Sequence, residues 1–279
     1  MSRQDYAIPP TVSSMPHHRN KERNMITRIE DTRKVAALFE GWQETMIWSC
    51  LQKVMGSIYA DDRESPTAAM AVLGDFYCFA GEPDLELVSY NPDACARKFI
   101  IMVPQSIEWA KLIEKRYSTT ARKIIRNAMK KEPQVFDTDR LRNIVTTLPP
   151  EYSLRMIDGE LYHRCKAENW SSDLVSQYAD YATYERLGLG VAALRDGRIV
   201  SGASSYSTYL GGIEIEIDTK EAYRRKGLAS VCGAKLILEC LDRNLYPSWD
   251  AHDKVSVALA EKLGYHFDHE YVAYEICER

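Results

Sequence analysis

Apolar residues recur at two periods along this chain, and the changes of period divide it into elements. After Asp31, a suitable helix cap, Val35, Leu38, Phe39, Trp42, Met46, Cys50, Leu51 and Val54 return at steps of three and four. That spacing predicts a helix that stops near Gly56. Residues 68–80 read as one strand bent at Gly74 and ended by Gly81, with 85–90 as its hairpin partner. A short apolar strand follows at 99–103. Pro104 then opens a helix to about 116, with Ile107, Ala110 and Ile113 on its buried face. Ser118 would cap a helix over 119–131, and Thr138 a third that carries Leu141, Ile144, Val145 and Leu148 on one stripe. Pro149-Pro150 ends this block.

Beyond the prolines the periods alternate. A strand at 152–157 precedes helices at 161–167 and 175–187. Strands at 191–194 and 199–206 flank Asp196-Gly197, a strong hairpin signal. Ile213, Glu214, Ile215, Glu216, Ile217 and Asp218 alternate strictly, which predicts a strand over 213–219 with three carboxylates on one face. A helix at 228–243, a strand at 246–250, a helix at 254–263 and a final strand near 271–276 complete the pattern. No internal repeat is visible by pattern, although the mixed first half leaves a degenerate duplicate open. The organisation expected is a weakly ordered extension over 1–24, a mixed α/β domain over 25–149 and a second α/β domain over 150–279.

Composition narrows the classes. The chain has 279 residues, 45% hydrophobic and 27% charged, which suits two ordinary globular domains. A formal net charge of −4 argues against bulk nucleic-acid binding. The seven cysteines are odd in number and form no C-x-x-C pair. They read as reduced, buried small hydrophobes of a cytoplasmic protein. No run is long and apolar enough to span a membrane, and the N-terminus lacks a signal-peptide core.

The candidate chemistry centres on Arg224-Arg225-Lys226-Gly227-Leu228-Ala229, between the 213–219 strand and the next helix. Backbone N–H groups at a helix start have no intrahelical acceptor, Gly227 carries no side chain to block an approaching phosphate, and three cations add a favourable field. The turn therefore suits a phosphate-bearing ligand. Strand, Arg-x-x-Gly-x-Ala, helix resembles the acetyl-CoA signature of the GCN5-related N-acetyltransferases (GNAT). So does the later run of Asp253-Lys254-Val255-Ser256 and Leu259-Ala260-Glu261-Lys262-Leu263-Gly264-Tyr265. Around Trp249-Asp250-Ala251 the match looks closest to the subgroup containing the zwittermicin A resistance acetyltransferase. The resemblance covers roughly 151–279.

It implies a GNAT-type mixed, mostly antiparallel sheet flanked by helices, in β-α-α-β-β-β-α-β-α-β order, behind a smaller mixed α/β N-terminal domain. It also implies acetyl-CoA as cosubstrate, its pyrophosphate cradled by Arg224–Ala229 and its pantetheine arm paired with backbone groups of Ile217 and Thr219. Asp253 stands where the family has Asn; it suits a helix cap, and by resemblance it would touch the pantetheine amides. Ala260 stands where the family has the tyrosine that protonates the leaving thiolate, so that acid does not carry over.

Acetyl transfer needs a base for the amine and an acid for the thiolate. Glu214 and Glu216 are the candidate bases; Asp218 lies nearer the pantetheine stretch. Tyr246, at the start of the strand expected beside the thioester, is the candidate acid among Tyr206, Tyr246, Tyr265, Tyr271 and Tyr274. Trp249 and Asp250 line the acetyl or amine pocket, or Trp249 belongs to the core. His266 and His269 fall on opposite faces of a strand, so no metal site is expected. Arg122, Lys123, Arg126, Lys130 and Lys131 would form a basic stripe on the 119–131 helix. The function expected is direct transfer of an acetyl group to a primary amine of a small molecule, with a homo-oligomer left open. The alternatives are a non-catalytic acyl-CoA-binding regulatory module, or an interaction protein that uses the N-terminal stripe.

Overall fold

The computed structural model describes residues 25–92 and 99–277, so the expectations for 1–24 and for Cys95 lie outside the described residues. The chain folds, in order, as β1 (Thr27–Arg28), α1 (Thr45–Leu51), β2 (Ser57–Ala60), β3 (Ala68–Leu73), β4 (Phe76–Gly81), α2 (Leu85–Ser89), β5 (Phe99–Pro104), α3 (Ile107–Tyr117), β6 (Ala121–Met129) and α4 (Thr138–Thr146). It continues as β7 (Tyr152–Met156), α5 (Gly159–Ala167), α6 (Tyr181–Leu187), β8 (Gly190–Arg195), β9 (Arg198–Tyr209), β10 (Gly212–Thr219), α7 (Leu228–Asp242), β11 (Tyr246–Ser248), β12 (Asp250–Ala251), α8 (Lys254–Leu263) and β13 (Phe267–Cys277).

Two sheets result. One is five-stranded in the order β11-β10-β9-β8-β7, and the other eight-stranded in the order β1-β2-β3-β4-β5-β13-β6-β12. From β7 onward the elements follow the β-α-α-β-β-β-α-β-α-β order, with the 246–250 strand divided into β11 and β12. Asp196 and Gly197 take φ values of 49° and 72°, as the reversal between β8 and β9 requires. In α7, Leu228, Cys232, Ala234, Leu236, Ile237 and Cys240 are buried in one core cluster with Ile213 and Ile215 of β10. The helix packs close because of Gly233: a Cβ there would stand 2.8 Å from Leu263 Cδ1.

Two elements from beyond Pro149-Pro150 join the sheet of the first half. β13 lies between β5 and β6, antiparallel to both, and β12 pairs with β6 at its edge. A hidden likeness also emerges. β1–β4 form an antiparallel run, and a helix leads to β5, parallel to β4. β7–β10 form a second such run, and a helix leads to β11, parallel to β10. The two halves thus share one strand scheme that residue pattern does not show.

Several local expectations are corrected. The 119–131 segment is strand β6, not a helix; Ser118 takes φ 44°, which breaks the preceding helix, and the β-branched pair Ile124-Ile125 suits a sheet. Its cations therefore point to alternate faces, and several are paired. Arg122 bonds Glu275 through Nε at 2.7 Å, and Arg126 bonds Asp250 through Nε at 2.6 Å. The stripe on which the interaction-protein reading depended does not form. Residues 68–80 make a hairpin rather than one strand, reversed at Gly74, where φ is 57°. The 85–90 segment is helix α2, capped by Asp84, because the parallel step from β4 to β5 needs a crossover. The first long helix shortens to α1 behind 3-10 turns, broken where Gly41 takes φ 77°. The helix expected over 175–187 begins only at Tyr181, behind its Asp180 cap.

Cys50, Cys78, Cys165, Cys232 and Cys240 are buried, and burial pushes the thiols of Cys50, Cys165, Cys232 and Cys240 up to about 12. They are unreactive core residues, while Cys277 is exposed. No helix among the described residues is long and apolar enough to cross a membrane.

Candidate active site

The site is made by two parallel strands that part. β10 and β11 pair at Gly212–Tyr246, Ile213–Pro247 and Glu214–Ser248. The chain then breaks at Trp249 and resumes as β12, which pairs with β6 of the other sheet. β10 continues to Thr219 with β9 on one side and, among the described residues, no strand on the other. A cavity of about 740 Å³ opens along that free edge. Its walls come from both halves: Met46, Phe76, Ile101 and Arg126 from the first, and β10, Trp249, Asp250, His252 and Asp253 from the second.

Glu214, Glu216 and Asp218 all line the cavity, as the alternation requires. Glu214 is 6% exposed. Its Oε2 accepts a hydrogen bond from Thr45 Oγ1 at 2.5 Å, and its Oε1 is buried with no hydrogen-bond partner among the described residues. Burial pushes its carboxyl up to about 7, against the pull of Lys131 and with added repulsion from Asp250. Glu216 rises to about 8 through burial and then the charges of Asp218 and Asp173. Asp218 rises to about 6, again through burial first and Asp173 second, with Arg224 opposing.

These shifts fix the sign of a stability change. A carboxyl whose folded pKa exceeds its unfolded value binds more protons in the folded state, so its stabilisation is full below about pH 4.5 and is lost as pH rises through 6–8. The melting temperature is expected to fall between pH 5.5 and 8.5. A flat or rising profile would show that these carboxyls ionise normally.

Deeper in the cavity Asp250 is buried against Arg126, and its Oδ2 accepts from Tyr271 Oη at 2.8 Å. The Arg126 guanidinium stacks 4.9 Å from the centre of the Phe76 ring. Trp249 is buried yet lines the cavity, with its indole N–H on Ser256 Oγ at 3.1 Å. Asp253 caps α8, accepting from the Ser256 N–H at 2.8 Å, and also lines the cavity.

At the mouth, Arg224 and Ala229 line the cavity, and Arg224 Nε donates to the Thr219 carbonyl at 3.2 Å. Arg225 and Gly227 take φ values of 58° and 82°, and no side chain caps α7. A Cβ on Gly227 would meet nothing within 4 Å, so its outer side is open. Leu228 turns inward and is buried. Lys226 Nζ lies 4.8 Å from the Tyr223 ring centre.

The match of this chain to a family description decides the wider reading: the model for GNAT acetyltransferase covers residues 36–274. The chain belongs to the GNAT family. A GCN5-related N-acetyltransferase-like protein from Streptococcus suis 89/1591 shares 49% identity at a TM-score of 0.84, over 88% of this chain and 98% of that one. The uncharacterized N-acetyltransferase YdfB of Bacillus subtilis strain 168 is 27% identical over 247 residues, 82% of this chain and 89% of that protein. A GCN5-related N-acetyltransferase from Kribbella flavida shares the fold, with TM-score 0.52 and 16% identity over 89% of this chain and 95% of that one. The protein is an acetyl-CoA-dependent acyltransferase of the GNAT class.

Within this GNAT site, Glu214, Glu216, Ile217, Thr219, Arg224, Ala229 and Asp253 meet at one cavity, with Arg225–Leu228 completing the turn between two of them. Tyr246 is not among the lining residues. It begins β11 at the closed end of the paired strands, where its hydroxyl accepts from the Glu132 N–H at 2.9 Å and donates to the Lys130 carbonyl at 3.2 Å. Of the five tyrosines considered, only Tyr206 lines this cavity; its hydroxyl accepts from the Asp75 N–H at 3.0 Å. Ala260 is buried in the core. His266 pairs with Glu132 and His269 with Asp268. Thr45 and His252 carry no signal in the sequence, and Arg126 signals only a basic stripe, because no local pattern marks a residue that meets its partner more than a hundred positions away.

Proposed function

We propose that this chain moves an acetyl group from acetyl-CoA directly to a primary amine of a small molecule, in the cytoplasm. The observation that carries this reading is the free edge of β10 from Ile215 to Thr219, beside the cavity that opens where β11 departs. Backbone groups of Ile217 and Thr219 would pair with the pantetheine arm along that edge. Arg224–Ala229 would hold the pyrophosphate, helped by the uncapped start of α7 and the open side of Gly227. Asp253, at the cavity wall, would reach the pantetheine amides. The donor supplies an activated acyl carbon.

The residues of this chain supply the proton chemistry. Glu214 takes a proton from the acceptor ammonium, the amine nitrogen bonds to the acyl carbon, and the carbon–sulfur bond breaks. Glu216 lies two residues along the same face and would hold the cationic acceptor before transfer. The second proton lost by the nitrogen passes to the departing thiolate by way of Tyr206 or water; Tyr206 replaces Tyr246 in this role because it lines the cavity. The first half, 25–149, closes the acceptor side. The resemblance to the zwittermicin A resistance subgroup supports an amine antibiotic or metabolite as acceptor.

Calorimetric titration with acetyl-CoA, followed by thiol release on an amine panel, tests this reading. Binding with release supports it. Binding alone on every amine points to a non-catalytic acyl-CoA-binding module, and no binding overturns it. Gly227→Asp is expected to weaken acetyl-CoA binding about tenfold or more, since the new carboxylate faces the phosphates, while an acidic residue tolerates the left-handed backbone. Unchanged affinity would move the pyrophosphate elsewhere.

A further inference from the structure

β10 sorts its side chains between the two faces of its sheet. Ile213 and Ile215 belong to the core cluster of α7, the helix whose start would hold the pyrophosphate, and Ile217 packs against it. Glu214, Glu216 and Asp218 take the opposite face and line the cavity. Asp173, from the 3-10 turn Ser172–Leu174, lines the same cavity. Burial, then the charges of Asp218 and Asp173, push the Glu216 carboxyl up to about 8, so these carboxyls stand close enough to repel one another. The cations in the same wall are engaged elsewhere. Arg126 pairs with Asp250, His252 rests against Arg126, and Arg224 bonds the Thr219 carbonyl at the mouth.

Glu214 makes an independent demand in that wall. It is 6% exposed, and its Oε1 has no hydrogen-bond partner among the described residues, so a donor brought from outside completes it. Glu214 and Glu216 border one continuous cavity of about 740 Å³. Side chains two residues apart on one face of a strand stand ~7 Å apart, a span that a short methylene chain bridges. The rings of Phe76 and Tyr206, with centres 5.8 Å apart, border the same cavity and offer apolar surface to such a chain.

We infer that the acceptor is a diamine laid along the acidic face of β10, with one amino group at Glu214 and the other at the cluster of Glu216, Asp218 and Asp173. This deepens the amine-acetyltransferase reading and rests on it. The amino group at Glu214 loses its protons and takes the acetyl group; the other stays an ammonium and anchors. Donor and acceptor then share one strand without competing, because the pantetheine arm takes the backbone edge of β10 and the diamine takes its side-chain face. Acetylation removes one of the two positive charges, so the mono-acetylated product holds less tightly to this wall and leaves.

The experiment uses the full chain and unbranched α,ω-diaminoalkanes, each matched to the amino alcohol and the ω-amino acid of the same length. Thiol release with acetyl-CoA gives kcat/KM. Diamines of about four carbons or more, long enough to span ~7 Å, are expected to exceed their amino alcohols about tenfold or more, and the ω-amino acids to be the poorest acceptors. Glu216→Gln and, separately, Asp173→Asn should each pull the ratio of diamine to amino alcohol toward one, mainly through KM. Asp173 is exposed, so its variant leaves the core untouched. Equal use of diamines and amino alcohols by the wild type, or a diamine preference that both variants keep, overturns the inference and leaves the acetyltransferase reading standing. If no amine releases thiol, that reading fails, and calorimetry with a diamine and its amino alcohol decides the subsite. Tighter diamine binding that Asp173→Asn removes supports it, and any other result overturns it.

Discussion

Glu214→Gln is expected to lower kcat by about 10²–10⁴-fold, the usual worth of a positioned general base, while acetyl-CoA binding stays close to that of the wild type. The swap preserves shape and keeps an acceptor for Thr45, but an amide cannot take the proton of an ammonium. The pH dependence makes the argument sharper. With its carboxyl pushed up to about 7 by burial, Glu214 is protonated and idle in acid, so kcat/KM should rise with pH through about 7. Thr45 donates to the carboxylate and favours its charged form, so Thr45→Val should move that limb to higher pH and Thr45→Ser should restore it. A Glu214→Gln enzyme within tenfold of the wild type would transfer the role to Glu216.

Arg126→Leu is expected to destabilise the fold by about 3–5 kcal/mol, because it leaves Asp250 buried without its cation. Their side chains are 9% and 8% exposed, so water offers little compensation. The contact also joins β6 of the first half to β12 of the second, and its loss should loosen the cavity wall that both strands line. Arg126→Leu combined with Asp250→Asn should recover part of the loss, since the uncompensated charge is then gone. Urea unfolding measures both. A single variant within 1 kcal/mol of the wild type would mean that Asp250 rests on Tyr271 instead.

How much of this was legible in the sequence depends on the reach of each signal. Most elements from β7 to α8 carried theirs locally: the Asp196-Gly197 reversal, the Ile-Glu alternation of β10, Gly227 before α7 and the Asp253 cap. So did the cationic turn, whose Arg224 and Ala229 meet Glu214, Glu216, Ile217, Thr219 and Asp253 at one cavity. β6 was misread because cations spaced by four suit a helix as well as a strand, and only its pairing with β13 and β12 decides between them. Tyr246 was chosen from its place at the start of a strand, but that end of β11 is the closed end of the paired strands, away from the opening. Thr45 and His252 reach the site through the tertiary fold, which leaves no mark in their immediate surroundings, and Arg126, one cation of the expected stripe, meets Asp250 in the same way.

The position of β13 bears on how the molecule is made. During synthesis β5 and β6 emerge well over a hundred residues before the strand that must lie between them. Until 267–277 arrive, two long strand edges have no partner, and the floor of the cavity formed by Ile101 and Arg126 has no fixed spacing. The first half therefore cannot mature ahead of the second, as independent domains commonly do on the ribosome. Folding is committed late and all at once, by contacts of long sequence separation that close slowly. A strand-length peptide matching β13 would compete for the gap between β5 and β6 in the unfinished sheet.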